Sequence, residues 1–250
     1  MVRNGISVKA SAQSKQELRR KMNGLLTIVP TRNRVENALR LLDAFYNTTD
    51  LDDSGLLFVV GTEDPRLEEY RTKIPKNHLL VFPDRGMVKA LNYAVSCGYA
   101  EQYEALGFMG DDHLPRTYGW DSAYLGNLRE LEYGYVYGND LLMGERIPTQ
   151  VAISSSIIRA LGFFGPPGFT HLNVDVTWKD MGEALGKLRY LPDVIIEHLH
   201  PANGKAEEDS GYKWANSKFM VKADEAEYRR WRRDDYHTQV HKVVLALQTC

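Results

Sequence analysis

Only two cysteines occur in the chain, Cys97 and Cys250, which is too few for a disulfide framework or a cysteine metal knuckle and fits a reducing compartment. No apolar run approaches the roughly 18 residues of a membrane span. The amino-terminal stretch lacks the apolar core of a signal peptide. Charge of one sign is also missing: a formal net charge of −2 gives no overall drive toward nucleic acid or anionic membrane, leaving only local patches to do so. Internal repeats and low-complexity tracts are absent. What remains is 250 residues, 43% apolar and 26% charged, an ordinary globular composition long enough for one substantial core. A cytosolic enzyme or binding protein is the expectation.

The most informative stretch is 105–115, Ala-Leu-Gly-Phe-Met-Gly-Asp-Asp-His-Leu-Pro. Leu106, Phe108 and Met109 suit an interior strand, and an open α/β sheet keeps its chemistry where such strands end. Asp111, Asp112 and His113 would lie at that edge. Adjacent carboxylates repel and resist burial unless a cation neutralises them, and their oxygens suit hard divalent ions that bridge phosphates. Gly-Asp-Asp is equally turn chemistry, so this stretch alone leaves both readings open.

Along the chain, the basic residues before 23 show no strand pattern; 13–22 could form a helix, and a loosely docked extension is the expectation. Leu25–Val29 reads as a buried strand stopped by Pro30, and Thr31-Arg32-Asn33-Arg34 leads into a helix with Val35, Leu39, Leu42 and Phe45 on one face. A strand, a turn and a helix start make an anion site, which Arg32 and Arg34 would reinforce. Leu56–Val60 is a second strand, ending in the polar turn that holds Asp64. Residues 67–73 read as a helix, 78–82 as a strand running into Asp84-Arg85-Gly86, and 87–99 as a helix that Lys89 and Asn92 begin. The βαβα order predicts a mostly parallel sheet with one ligand along its carboxyl edge.

Farther on, 118–131 reads as a helix, 133–137 as a run closed by Gly138-Asn139-Asp140, 147–153 as a strand, 154–161 as a helix, and 162–169 as a Gly/Pro/Phe loop of the kind that packs corners or lines acceptor sites. A helix over 176–186 follows Asp175, a strand over 190–196 ends in Glu197-His198-Leu199-His200-Pro201, 202–211 reads as loop, and 218–244 as one long charged helix. His-x-His repeats once per strand period, which places both rings on one face that could hold metal. Zinc prefers three or four nitrogen or sulfur ligands, whereas a histidine joined to carboxylate and phosphate oxygens fits Mn²⁺ as well. Asp175 either caps the helix after it or serves chemistry. Arg229 to Arg233 could grip a nucleic-acid backbone, but flanking Asp224, Glu225, Glu227, Asp234 and Asp235 favour a solvated face.

The order Thr-Ile-Val-Pro-Thr-Arg-Asn-Arg, a strand ending near Asp64, Asp-Arg-Gly-Met-Val-Lys-Ala-Leu-Asn, Gly-Asp-Asp-His, Asn-Val-Asp and Glu-His-Leu-His-Pro resembles the GT-A glycosyltransferases, in particular their large inverting family 2-like group. The resemblance spans about residues 24–201. It implies an α/β fold with a mostly parallel central sheet flanked by helices and a Rossmann-like nucleotide-binding half. It implies donor contacts from Pro30, Thr31, Arg32, Asp64, Arg85, Lys89, Asn92 and Asp111, and metal ligation by Asp112 with His198 or His200. The family's Asp-x-Asp motif reads Gly-Asp-Asp here.

Together these imply an Mn²⁺- or Mg²⁺-dependent transferase moving a sugar from a nucleotide-diphosphate donor, UDP-sugar favoured over GDP-sugar, to a hydroxyl of a protein, DNA or glycan. The cation would offset the leaving diphosphate, and Asp175 would be the general base of an inverting transfer. Chains with this motif pairing resemble those of bacteriophages and actinobacteria, which would place a phage-encoded enzyme in the host cytoplasm. The expected organisation is an extension (1–22), a GT-A catalytic domain (23–205) and a helical segment (206–250). A nucleotidyltransferase usually has a Gly-rich loop after its first strand, and Pro30-Thr31-Arg32-Asn33 has no glycine. The other alternative is a nucleic-acid-binding protein using the basic helix.

Overall fold

A computed structural model describes residues 22–248 of the chain. The expected extension and the helix read over 13–22 fall, apart from Met22, outside the described residues, as does Cys250. In chain order the elements are β1 (Asn23–Thr31), α1 (Val35–Thr48), β2 (Gly55–Gly61), α2 (Leu67–Lys73), β3 (Leu79–Phe82), α3 (Met87–Ser96), α4 (Tyr99–Gln102), β4 (Tyr103–Phe108), β5 (His113–Pro115) and α5 (Trp120–Glu130). They continue with β6 (Tyr135–Asn139), β7 (Val151–Ser154), α6 (Ser155–Leu161), α7 (Val174–Ala184), β8 (Leu188–His198), α8 (Ser210–Ala215), α9 (Lys218–Asp234) and α10 (Tyr236–Gln248).

The strands form one eight-stranded sheet in the order β3-β2-β1-β4-β7-β6-β8-β5. The first four are parallel, β7 runs against both neighbours, β6 and β8 are parallel, and β5 is antiparallel to β8. The alternation of β1 feeds two cores: Leu26 and Ile28 join Leu91, Ile157, Trp178, Trp231 and Val243 on one face, while Leu25 and Val29 join Leu41, Phe45, Trp120 and Tyr124 on the other. A strand buried on both faces needs a nearly continuous apolar run, which β1 has. Every turn that follows β1, β2, β3 or β4 therefore emerges on one edge, where the polar motifs sit.

The structure departs from the expected elements in several places. The helix read over 87–99 ends at Ser96, and after Gly98 a separate turn of helix follows at Tyr99–Gln102; the helix read over 176–186 starts at Val174, so Asp175 lies inside it and Asn173 is its N-cap. The strand read over 147–153 is only Val151–Ser154, because the side chains before it are drawn elsewhere: Thr149 donates to Asp140 Oδ2 at 2.7 Å, and Gln150 is hydrogen-bonded to Tyr124 and to the Gly138 carbonyl. The loop read over 202–211 contains a 3-10 turn, Pro201–Asn203, and the start of α8. The single helix read over 218–244 is two, broken at Asp235. That break lets Trp231 and Val243, both fully buried, enter the same core. No helix among the described residues is long and apolar enough to cross a membrane.

Trp231 anchors this carboxyl-terminal hairpin, with its indole N–H on Gln239 Oε1 at 2.8 Å. Trp231→Ala should cost about 3–5 kcal/mol, read as the shift of a urea unfolding midpoint.

Candidate active site

The chain leaves β4 at Phe108, turns through Gly110-Asp111-Asp112, and re-enters the sheet as β5, whose first residue His113 pairs with His198, the last of β8. This pairing brings two motifs 85 positions apart into contact. The two imidazoles stack with centroids 4.1 Å apart and an interplanar angle of 21°. Leu199 N–H to the Asp112 carbonyl (2.8 Å) and His198 N–H to the Asp140 carbonyl (3.0 Å) seal the junction.

Asp112 lies at its centre. Oδ1 is 3.3 Å from His113 Nδ1 and 3.6 Å from His198 Nε2, and Oδ2 accepts from the Tyr212 hydroxyl. Burial alone would raise the Asp112 pKa, but His113 and His198 hold it well below the usual carboxylate range. Burial likewise opposes the His198 imidazolium, yet Asp112 and Asp140 outweigh it and push the pKa up to about 9. His113, fully enclosed and beside that charge, has its pKa lowered; its Nδ1 accepts the Gly110 N–H at 3.0 Å. Asp140, also buried, has Oδ1 on the N–H groups of Leu142, Met143 and Gly144.

Asp111 is served from the other side. It accepts from Thr31 Oγ1 at 2.6 Å and Arg34 Nη1 at 3.0 Å, while burial and neighbouring Asp112 still raise its pKa to about 6. Arg34 also makes a two-pronged pair with Asp209, at 2.7 Å on both contacts, and lies over the Tyr212 ring at 4.3 Å. Asp175 is the second residue of α7, whose Trp178 packs on Phe108 at the end of β4. Burial raises its pKa to about 6, with the Val176 N–H and the charge of His198 acting in the opposite direction.

Asp112, His113 and His198 each offer a ligand atom, all within 4.8 Å of one another. The buried Nδ1 of His198 has no hydrogen-bond partner, being 3.8 Å from Asp140 Oδ2. One carboxylate and imidazole nitrogens converging beside an unsatisfied ring nitrogen fit a divalent cation such as Mn²⁺. His200 is not in this group. β8 stops at His198, so strand alternation does not carry to His200, whose Nδ1 accepts the Ala202 N–H as the cap of the 3-10 turn.

No protein-family model and no curated protein matches the chain. Solved structures do match it. A mannosyltransferase from Pyrobaculum calidifontis, in complex with GDP-Man and Mn²⁺, superposes with a TM-score of 0.53 at 14% identity, over 97% of this chain and 83% of that one. S. aureus TarS 1-349 gives 0.51 at 15% identity over 90% and 79%, and its UDP complex gives 0.52 at 13% over 90% and 81%. The fold is GT-A.

Around the GT-A edge, Thr31 and Asp64 are buried, Asn92 is half-buried, and Arg32, Arg85 and Lys89 are exposed. The Asp64 carboxylate accepts the N–H groups of Asn33 and Arg66, both at 2.8 Å. Asn92 clips the 162–169 loop, accepting from Phe164 and Gly165 and donating to the Gly165 carbonyl. Lys89 pairs with Asp84, and Arg85 lies over Trp214. The arginine run of α9 is matched throughout by acids: Arg229 with Glu225, Arg230 with Glu227 and Asp235, Arg232 with Asp180, Arg233 with Asp234. Asp140, Asp209 and Tyr212 were not among the expected site residues, and nothing in their local sequence pattern singles them out.

Glycine at 110 has a steric reason. A Cβ there would meet Asp112 Oδ1 at 2.5 Å and His113 Nδ1 at 3.0 Å. Gly110→Ala should therefore destabilise the chain by about 1–3 kcal/mol, and Gly110→Asp, which writes Asp-x-Asp, by no less; urea titration of both variants checks this.

Proposed function

We propose that this chain is a metal-dependent glycosyltransferase, transferring a sugar from a nucleotide-diphosphate donor to an acceptor hydroxyl with inversion. The observation that carries the reading is the meeting of Asp112 and His198 at the carboxyl edge of a GT-A sheet, with Asp175 on the adjoining helix. A UDP-sugar is the favoured donor and a GDP-sugar the alternative, in keeping with the UDP and GDP-Man bound in the two similar proteins. The acceptor is a protein, DNA or glycan hydroxyl.

Asp112 and His198 would hold Mn²⁺ or Mg²⁺, with His113 stacked behind the His198 ring. Such an ion supplies Lewis-acid neutralisation of the leaving diphosphate. Thr31 and Arg34 orient Asp111 toward the donor's ribose side, and Arg32, Arg85 and Lys89 add positive charge at the ends of β1 and β3. Asp64 and Asn92 act by fixing the backbone that borders the donor. Asp175, whose burial raises its pKa to about 6, takes the acceptor's proton as its oxygen attacks the anomeric carbon.

Asp112→Ala should abolish Mn²⁺-dependent binding of UDP in calorimetry; undiminished affinity would sink the assignment. Since His198 must shed a proton to act as a ligand and that proton leaves near pH 9, Mn²⁺ affinity should climb with pH up to about 9, and His198→Ala should flatten the climb.

Asp175→Asn should keep donor binding and melting temperature while transfer falls by about 10²–10⁴-fold. In the parent chain transfer should decline as pH drops through about 6, because only the carboxylate accepts a proton. Asn173, not Asp175, is the N-cap of this helix, and a purely structural role for Asp175 in its first turn would leave turnover near normal. Proton NMR of the product's anomeric configuration tests inversion.

A further inference from the structure

The helix that carries Asp175 has no side-chain cap of its own. Asn173, its N-cap residue, lies in the left-handed region at φ 61° and makes no capping hydrogen bond. The Asp175 carboxylate accepts the next N–H, that of Val176, at 2.9 Å. A helix start without a cap leaves amide groups unsatisfied and its position weakly specified.

The restraint comes from Asp224 on α9. This side chain is 1% exposed. Its Oδ1 accepts the Thr170 N–H at 3.0 Å, and its Oδ2 accepts those of His171 and Leu172 at 2.9 and 2.7 Å. Successive amides converging on one anion form a nest, and the grip ends three residues before Asp175. Enclosing a carboxylate is costly, so packing alone would be met more cheaply by an apolar residue at this position.

The same face of α9 continues the hold. Tyr228 donates to Asp180 Oδ2 at 2.7 Å, and Arg232 lies 3.4 Å from the same oxygen. Positions 224, 228 and 232 share one helix face, and Asp180 belongs to α7. Asn92 clamps the far end of the loop at Phe164 and Gly165, leaving Asp224 as the clamp that borders the base.

We propose that Asp224 is a positioning residue for the transfer: by holding the amides of Thr170, His171 and Leu172 it sets where α7 begins and thereby aims the Asp175 carboxylate. The grip stands on geometry alone, while its role in transfer rests on the glycosyltransferase reading.

Asp224→Ala and the isosteric Asp224→Asn test it, with Glu225→Gln, the neighbouring charge loss on the exposed face, as control. Hydrogen–deuterium exchange over 170–176 should accelerate at least tenfold in Asp224→Ala and less in Asp224→Asn. Calorimetric affinities for Mn²⁺ and UDP should stay within twofold, while kcat falls about 10²-fold, the scale of an ångström-level misplacement, at unchanged donor KM. The control should match the parent in every readout. Unaltered exchange over 170–176 would overturn the inference, as would a kcat loss that only follows a loss of folded protein or of donor binding. A parent chain that binds UDP and Mn²⁺ but transfers no sugar would strike the functional reading instead, whereas faster exchange with normal kcat would strike this inference alone.

Discussion

Two adjacent carboxylates in the interior constrain everything around them. Unit charges about 4 Å apart repel by roughly 4 kcal/mol at an effective dielectric near 20, before any loss of hydration. The chain answers with two cations: Arg34 from the turn after β1, 3.0 Å from Asp111 and 3.9 Å from Asp112, and the His198 imidazolium from the end of β8 on Asp112. The imbalance that remains is visible in Asp111, raised to about 6, against Asp112, held low. Removing one partner of such a buried set costs more than replacing the whole, so the β1 turn, the β4 turn and the β8 end are bound together electrostatically as well as by the sheet.

This constraint explains what was legible in the sequence. Buried parallel strands write themselves as apolar runs, so β1, β2 and β4 and the polar turns after them could be read locally, and the oddity of Asp-Asp-His after an apolar run marked the candidate site. The order of motifs then suggested the GT-A fold, which the solved structures bear out. The part that could not be read is the antiparallel pairing of the three-residue β5 with β8. Too short to show a period, it alone decides that His198 reaches Asp112 and that His200, beyond the strand's end, turns to cap the next residues.

The carboxyl-terminal segment shows a second limit of periodicity. A charged helical pattern over 218–244 carries no sign of the break at Asp235, because Lys218–Asp234 and Tyr236–Gln248 are each regular helices and the turn between them is dictated by where Trp231 and Val243 must be buried. The arginines that suggest nucleic acid in the sequence are spent on neighbouring acids. What the pattern hides is the inward face, where Asp224, Tyr228 and Trp231 meet the rest of the domain and Arg232 reaches Asp180.

The segment after 205 also contacts the candidate site, which its distance along the chain conceals. Asp209 holds Arg34, Tyr212 holds Asp112, and Asp224 holds the approach to Asp175, so the acid pair and the candidate base are both tied to residues after 205. Trp231 and Val243 tie the same residues to the core. An opening of this segment large enough to free Asp224 from its three amides strains the indole's seat as well, so the local stability of α9 is coupled to the geometry of the site. Two packed helices, α8 and α9, thereby reach both the Asp111–Asp112 pair and the loop that leads into Asp175.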